Sequence, residues 1–401
     1  MRVLTFTTLF PHRFDPTHSI FVYQRLEHLA QRPGNEVVVV SPVPYVPKWI
    51  KARRWRTLRD LPSEEKVGTF SVYHPRYLLI PKVSMPIHAF SMFIGCLFRV
   101  ISLNRRKRFD CIDAHFVYPD GLAGLLLARC LGIPAAISAR GSDITFFPSF
   151  SLIRPMIRWT LNHADLVVAV SAALKKEMIA LGIPAEKIEV IPNGIDANRF
   201  RPIARDAARQ KLHLGQIGAL ILAVGALIPL KGQELLIHAF ARISMENSDL
   251  QLYILGEGPL RPTLEKLVLK LGLQDRVHLP GKKPHEELPF WFSAADVSCL
   301  PSAREGWPNV VTESLACGTP VVATRVGGIP EILVSQDFGI LVDQSIESIA
   351  SGLNQALSKR WDREGISARV RERTWDTVAA EVDRTLNSLV QPRAGHLRQR
   401  E

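Results

Sequence analysis

No two of the five cysteines, Cys96, Cys111, Cys130, Cys299 and Cys317, stand three apart, so there is no C-x-x-C pair to supply half of a zinc site. An odd, scattered set is also a poor disulfide framework, and these residues read as reduced packing groups of a cytoplasmic protein. No two aspartates stand two apart, which removes the Asp-x-Asp pair that would carry a metal–diphosphate complex. A P-loop string, a G-x-S-x-G elbow and an H-E-x-x-H helix are equally absent, against P-loop phosphoryl transfer, serine esterase chemistry and zinc proteolysis. The N-terminal MRVLTFTTLFPHRF has no long apolar stretch and no small-residue cleavage site, and reads as a first strand. The most apolar window, Ile87–Leu103, is interrupted by His88 and Arg99 and falls short of the ~20 residues that a bilayer span needs.

What is present is an ordinary globular composition, 47% hydrophobic and 22% charged over 401 residues, enough for two domains. The net charge of +12 is uneven: residues 1–190 hold 25 Lys+Arg against 14 Asp+Glu, and the remainder 25 against 24. Basic clusters lie at 48–59 (KWIKARRWRTLR) and 105–108 (RRKR). Such a half attracts nucleic acid, an anionic membrane surface or a phosphate-bearing substrate, or it simply keeps a solvated face soluble. No nucleic-acid partner is expected, because that reading would rest on charge alone.

Short β-branched runs alternate with segments of helical period, which predicts α/β architecture with parallel sheets. Strands are expected at Val3–Thr7, Glu36–Ser41, Cys111–Ala114, Ala135–Ser138, Leu166–Val170 and Ile188–Ile191, with helices at Ile20–Gln31, Gly121–Leu131 and Ala172–Leu181. IPNGIDANRFRP (191–202) clusters Pro, Asn-Gly and Asp and reads as a turn and linker. Strands then restart at Ala219–Val224, Leu250–Leu255, Val277–Leu279, Val297–Leu300 and Val321–Ala323. The expectation is a doubly wound domain over 1–192, a second over 203–372, and a helix over 373–390 that returns toward the first. Ligands are expected in a central cleft lined by the carboxyl ends of the two sheets.

The most specific string is PSAREGWPNVVTESLACGTPVV (301–322). A strand ends near Leu300, a loop carries Glu305 and Gly306, and Pro308 suits the first turn of a helix. Amides of Asn309 and Val310 at that start would favour an anion, and Glu305 and Glu313 are spaced to grip different hydroxyl-bearing parts of one ligand. Against this stands a capped helix with a solvated glutamate. In AVGALIPLKGQELLIHAF (223–240) a strand ends at Gly225 and Lys231 precedes a helix, where it can meet a diphosphate, although a lone loop lysine is more often solvated. YILGEGP (253–259) puts Gly256 and Gly258 after another strand, where backbone can approach a ligand closely. In the first half DCIDAHFVYPDG (110–121) puts His115 at a strand end, and ARGSDI (139–144) offers Arg140, Ser142 and Asp143 to the same region; a structural histidine is the competing reading.

Together these strings resemble the family 4 retaining glycosyltransferases of GT-B fold, which use nucleotide-sugar donors. EGWPNVVTE is similar to that family's E-x7-E motif, and SLACGTPVVATRVGGIPEI, PNGID (192–196), VGALIPLKG, LGEGP, AADV and TWDTVA follow in the family's order. The resemblance implies two Rossmann-like domains facing a central cleft, the first for the acceptor and the second for the donor. It implies that Glu305 meets the donor sugar hydroxyls and Glu313 the ribose. Lys231 would hold the diphosphate with amides of Gly306, Asn309 and Val310, with Gly225 and Gly256 close to the donor. His115 would lie beside sugar and acceptor, with Ser19, Arg140, Ser142 and Asp143 on the acceptor side. It implies no cofactor and no metal, a UDP- or GDP-sugar as substrate, and a glycan or polyprenyl-diphosphate-linked acceptor, at the cytoplasmic side of an anionic membrane. Two positions depart from the family: Ala226 stands where an arginine usually partners the lysine, and the loop around Ser19 lacks the usual Gly-Gly pair. Arg140 or Arg304 would have to supply the missing cation; otherwise the chain is a nucleotide-sugar-binding protein with little or partner-dependent transfer.

Overall fold

The computed structural model describes residues 1–50, 52–80, 85–215, 217–245 and 247–397. Apolar runs such as VVVV and AAIS carry side chains on both faces of a strand, so they belong in parallel sheets covered on both sides. Two such sheets form, one in each of two units, Met1–Gly194 with Trp375–Glu401, and Ile195–Thr374.

The strands of the first unit are β1 (Arg2–Phe6), β2 (Glu36–Val40), β3 (Val43–Pro44), β4 (Glu64–Val67), β5 (Phe70–Tyr73), β6 (Arg76–Tyr77), β7 (Cys111–His115), β8 (Ala135–Ala139), β9 (Leu166–Ala169) and β10 (Ile188–Val190). Eight make one sheet in the order β10-β9-β8-β7-β1-β2-β5-β4, antiparallel only at β4–β5, and β3 pairs with β6 apart from it. One core packs Val22, Leu26 and Leu29 of the helix Ile20–Gln31 against Val3, Val39 and Cys111, together with Trp375, Val378, Val382 and Leu386 of the helix Trp375–Leu397. The helix His88–Lys107 turns Ala89, Met92, Cys96, Val100 and Leu103 inward. With the turn before it, this helix runs Met85–Lys107 at a mean hydropathy of 1.6. By length and composition it can cross a membrane, contrary to the shorter window read from the sequence, because the helix continues beyond that window at both ends.

The second unit has β11 (Leu220–Val224), β12 (Gln251–Leu255), β13 (Val277–Gly281), β14 (Val297–Leu300), β15 (Val321–Thr324) and β16 (Gly339–Val342), all parallel, in the order β13-β12-β11-β14-β15-β16. Leu236, Ile237 and Phe240 of the helix Gln233–Ile243 and Ile349 and Leu353 of the helix Ile346–Ser358 fill one core. Phe200, Trp291 and Phe292 fill another. All five cysteines are free, and Cys130 is exposed where a packing role was expected, because it lies near the end of the helix Leu122–Leu131. In each sheet the first strand is interior, and the chain winds away to one side before returning to the other. The crevices that this leaves at the carboxyl ends of β1/β7 and β11/β14 are where doubly wound sheets bind ligands.

Candidate active site

At the β11/β14 crevice, two loops are tied edge to edge. Ala303 N donates to Leu230 O at 2.8 Å, bringing the loop after β14 onto the loop after β11. Gly232 makes this contact possible: its φ is +67°, and a Cβ there would lie 2.2 Å from Pro301 O. The arrangement sets Lys231 Nζ on Glu305 Oε1 at 2.6 Å, with both side chains largely buried. The Glu305 loop is braced from its far side by Gly328 N on Gly306 O at 3.1 Å, and by Gly327, where a Cβ would meet Glu305 O at 1.8 Å.

The loop after β12 closes against the same region. Leu227 N donates to Glu257 O at 3.0 Å and Leu260 N to Leu227 O at 3.1 Å, while a Cβ on Gly256 would come within 1.9 Å of Gly225 O. Gly256 therefore lets the two loop backbones touch, whereas a Cβ on Gly225 would only reach the Lys231 side chain at 3.9 Å. Gln233, which the sequence reading passed over, donates Nε2 to Ala226 O at 2.8 Å and leaves Oε1 buried with no partner among the described residues. The helix Asn309–Ala316 begins after Pro308, with Val311 N on Pro308 O at 3.0 Å.

Glu313 is buried one turn into that helix, and its carboxylate is held by a residue that was not singled out from the sequence. His285 accepts Arg199 at Nδ1 (2.7 Å), so its Nε2–H donates to Glu313 Oε1 (3.2 Å). Arg199 is fixed in turn by Asp196 at 3.6 Å, inside the PNGID segment.

At the β1/β7 crevice a cluster of buried charges lies beneath the strand ends. His115 is fully buried. Arg140 donates to its Nδ1, and its Nε2–H donates to Asp113 Oδ2 at 3.0 Å. Arg25, from the helix Ile20–Gln31, reaches Asp113 at 3.4 Å and Ser138 Oγ at 3.1 Å. Burial lowers the His115 pKa to about 4 against the attraction of Asp113, with Arg140 adding to the fall, so the ring is neutral at pH 7. Burial would raise Asp113, but His115 and Arg25 outweigh it and hold the carboxyl well below its usual range. Burial also lowers Arg140 to about 9, assisted by repulsion from Arg25. The Arg140 guanidinium is also bonded to Asn193 at 3.3 Å.

The other residues named in the first half do different things. The Asp143 carboxylate takes the amides of Val117 (2.9 Å), Arg140 (3.1 Å) and Gly141 (2.7 Å), so it shapes the loop, while Ser142 is exposed at the start of a short helix. Ser19 caps the helix Ile20–Gln31 with φ 50° and ψ 43°, a conformation that glycine adopts without cost. Asp120, unnoticed in the sequence, accepts the Thr8 amide and hydroxyl, and burial raises its pKa to about 7. Among the described residues no group of three or more His, Cys, Asp or Glu is placed to hold a metal ion.

Residues 204–373 match the family Glycosyl transferases group 1 and residues 18–199 match Glycosyltransferase Family 4. A glycosyltransferase of Bacillus subtilis, provisionally named for teichuronic acid biosynthesis, is 26% identical over 97% of this chain and 96% of its own. A D-inositol 3-phosphate glycosyltransferase of Thermobispora bispora is 30% identical over 72% of each chain. Among solved structures, sucrose-phosphate synthase of Thermosynechococcus elongatus superposes with a TM-score of 0.79 at 22% identity, covering 97% of this chain and 98% of that one. Anabaena HepE in complex with UDP-glucose superposes with a TM-score of 0.71 at 21% identity, covering 96% and 99%.

Proposed function

Since the chain belongs to the family 4, group 1 glycosyltransferases and has their GT-B fold, we propose that it moves a sugar from a nucleoside diphosphate to a glycan or polyprenyl-diphosphate-linked acceptor, with retention of configuration. The observation that carries this is the Lys231–Glu305 pair at the β11/β14 crevice, a cation and a carboxylate where a doubly wound sheet takes its ligand. In this reading the second unit holds the donor. Lys231 and the amides at the start of the helix Asn309–Ala316 hold the diphosphate, and Glu313, oriented by His285, takes the ribose hydroxyls. Glu305 gives up part of its hold on Lys231 to take a sugar hydroxyl.

Charge develops on the leaving diphosphate as the anomeric C–O bond breaks. Lys231 and the helix start stabilise that charge without a metal. The acceptor oxygen attacks from the face that the diphosphate leaves, and its proton passes to the departing phosphate oxygen. The first unit takes the acceptor; His115 trades its Arg140 contact for a substrate hydroxyl, and the surplus of basic residues suits an anionic lipid carrier or membrane face at the cytoplasmic side. The name of the Bacillus subtilis relative supports an envelope glycan as product, and the HepE complex supports a UDP-sugar.

The test is a thermal-shift screen of UDP, GDP, ADP and their sugar conjugates with EDTA present, followed by NMR of the released sugar. Saturation at about 100 Kd adds about 2.7 kcal/mol to stability. One base should shift the melting temperature, Glu313→Ala should abolish the shift, and the sugar should keep the donor's anomeric configuration. An inverted product, or a shift that requires a divalent cation, refutes the mechanism. A shift without any transfer leaves a nucleotide-sugar-binding protein.

A further inference from the structure

On a helix each residue turns by about 100°. Along His88–Lys107 the buried Ala89, Met92, Cys96, Val100 and Leu103 point to one side, while Phe90, Ile94, Phe98 and Arg105 share a sector of about 80° on the other. That outer side is apolar over three turns: Ile94 is 65% and Phe98 84% exposed. The stripe ends in the exposed Arg105 and Arg106, and no acidic residue occurs anywhere in Met85–Arg108.

The stripe has a rigid neighbour. Gly95 brings the β6 backbone against the helix, since a Cβ there would lie 2.5 Å from Arg76 O, and Ser91 Oγ donates to Leu78 O at 2.6 Å. Between them runs a groove of about 480 Å³ lined by Leu78, Ile80, Ile87, Phe90 and Ile94. Tyr45 N on Tyr77 O (2.7 Å) sets the chain that carries exposed Lys48 and Trp49 beside the groove, and Arg59 is tied to Lys48 O (3.2 Å).

We infer that this face, the Phe90–Ile94–Phe98 stripe with the Leu78 ridge and the Lys48, Arg105 and Arg106 rim, seats the protein on an anionic lipid bilayer with the helix lying in the interface plane. The inference rests on the reading of the first unit as the acceptor side and names the surface by which it meets a lipid carrier. A spanning role is excluded, because the opposite stripe of the same helix is built into the core. Apolar side chains enter the acyl boundary while arginine and lysine meet the phosphate groups, the pattern of an interfacial amphipathic helix. A protein partner would need carboxylates aligned with the rim, whereas an anionic bilayer supplies negative charge on every side.

The experiment is flotation of the full chain with vesicles of phosphatidylglycerol and phosphatidylcholine, or phosphatidylcholine alone, at low and high salt. The chain should float with the anionic vesicles only, and 1 M salt should release it. The double variant Ile94→Gln/Phe98→Gln should weaken partition at least tenfold and Arg105→Gln/Arg106→Gln by about fivefold per charge, each with an unchanged melting temperature. The same samples are screened for nucleotide-induced thermal shifts. Loss of vesicle binding with nucleotide binding intact is the expected variant phenotype. Failure of the parent chain to float with anionic vesicles, or equal flotation by the variants, overturns the proposal. So does a dimer in light scattering that the Ile94→Gln/Phe98→Gln variant splits, since the stripe would then meet a second copy. A parent that floats but responds to no nucleotide sinks the transferase reading alone.

Discussion

Glu305→Gln separates two demands on Lys231. In the structure described here its Nζ lies 2.6 Å from Glu305 Oε1, with the two side chains 20% and 10% exposed. At an effective dielectric of about 20 this is about 6 kcal/mol of Coulomb attraction, most of it offset by the desolvation of both ions, so about 1–3 kcal/mol remains. Under the proposed function a nucleoside diphosphate must draw Lys231 away from that carboxylate and bind beside its charge. The glutamine variant keeps the shape, weakens the grip on Lys231 and removes the repulsion. Binding of the diphosphate without its sugar should then tighten by about 3- to 30-fold, or about 0.7–2 kcal/mol. The intact donor gains the same but loses a charged hydrogen bond worth about 1.5–3 kcal/mol, so it should bind no better, and turnover should fall. Lys231→Met should weaken both ligands by about 10- to 100-fold, and should lower stability by about 2–3 kcal/mol by leaving Glu305 unpaired and mostly buried. Calorimetric titration of the two ligands against the three proteins reads the affinities, a steady-state assay the turnover, and urea unfolding the stability. Equal weakening of both ligands by Glu305→Gln would refute the reasoning, because the carboxylate would then be holding the loop's shape instead of competing for the lysine.

Three further outcomes are expected. Ser19→Gly should stabilise the first unit by about 0.5–1 kcal/mol in urea unfolding, because a φ of 50° is strained for serine and free for glycine; a loss of stability would contradict this. His285→Ala should raise the KM for the donor about tenfold with a smaller effect on kcat, because Glu313 loses the donor that orients it, and His285→Gln, which keeps an N–H, should restore part of the loss in steady-state kinetics. Asp120 has a pKa raised to about 7 by burial, so the folded chain keeps a proton that the unfolded one has lost, and this contribution to stability is lost as pH rises from about 4 to 7. His115, lowered to about 4, works in the opposite sense, since the folded chain binds fewer protons between about 4 and 6.5 and stability falls as pH drops through that window. Asp120→Asn should therefore unmask the His115 slope and make the urea midpoint rise more steeply between pH 4.5 and 7; parallel profiles would rule this out.

The sequence exposed the site where its grammar is local. Gly232 next to Lys231 before one helix, and Pro308 close to Glu305 before another, are each local signals, so both loops could be placed without knowing the fold, although their meeting joins residues 74 apart. Strands such as β2 (EVVVV) and β11 (LILAV) were legible for the same reason, since each is a short, mostly buried apolar run. β3 and β6 have two residues each and β4 reads EEKV, so neither length nor an apolar run marks them. The pairings that hold the candidate site's side chains are non-local: His285 stands 28 residues from Glu313 and 86 from Arg199, and nothing in PHEEL distinguishes a buried, hydrogen-bonded histidine from a surface one.

The buried ion cluster was nearer to hand than its concealment suggests. Val22, Leu26 and Leu29 mark the inward stripe of their helix, and Arg25 falls between them at the same spacing, so a cation on an apolar stripe demanded a buried acid. β7 supplies one, because Asp113 and His115, two apart on a strand, point to the same face. Asp113, facing a helix-borne arginine, accepts the Nε2–H of His115, and burial with Arg140 keeps the ring neutral against the pull of that acid, the state in which the proposed exchange of Arg140 for a sugar hydroxyl needs no prior loss of a proton.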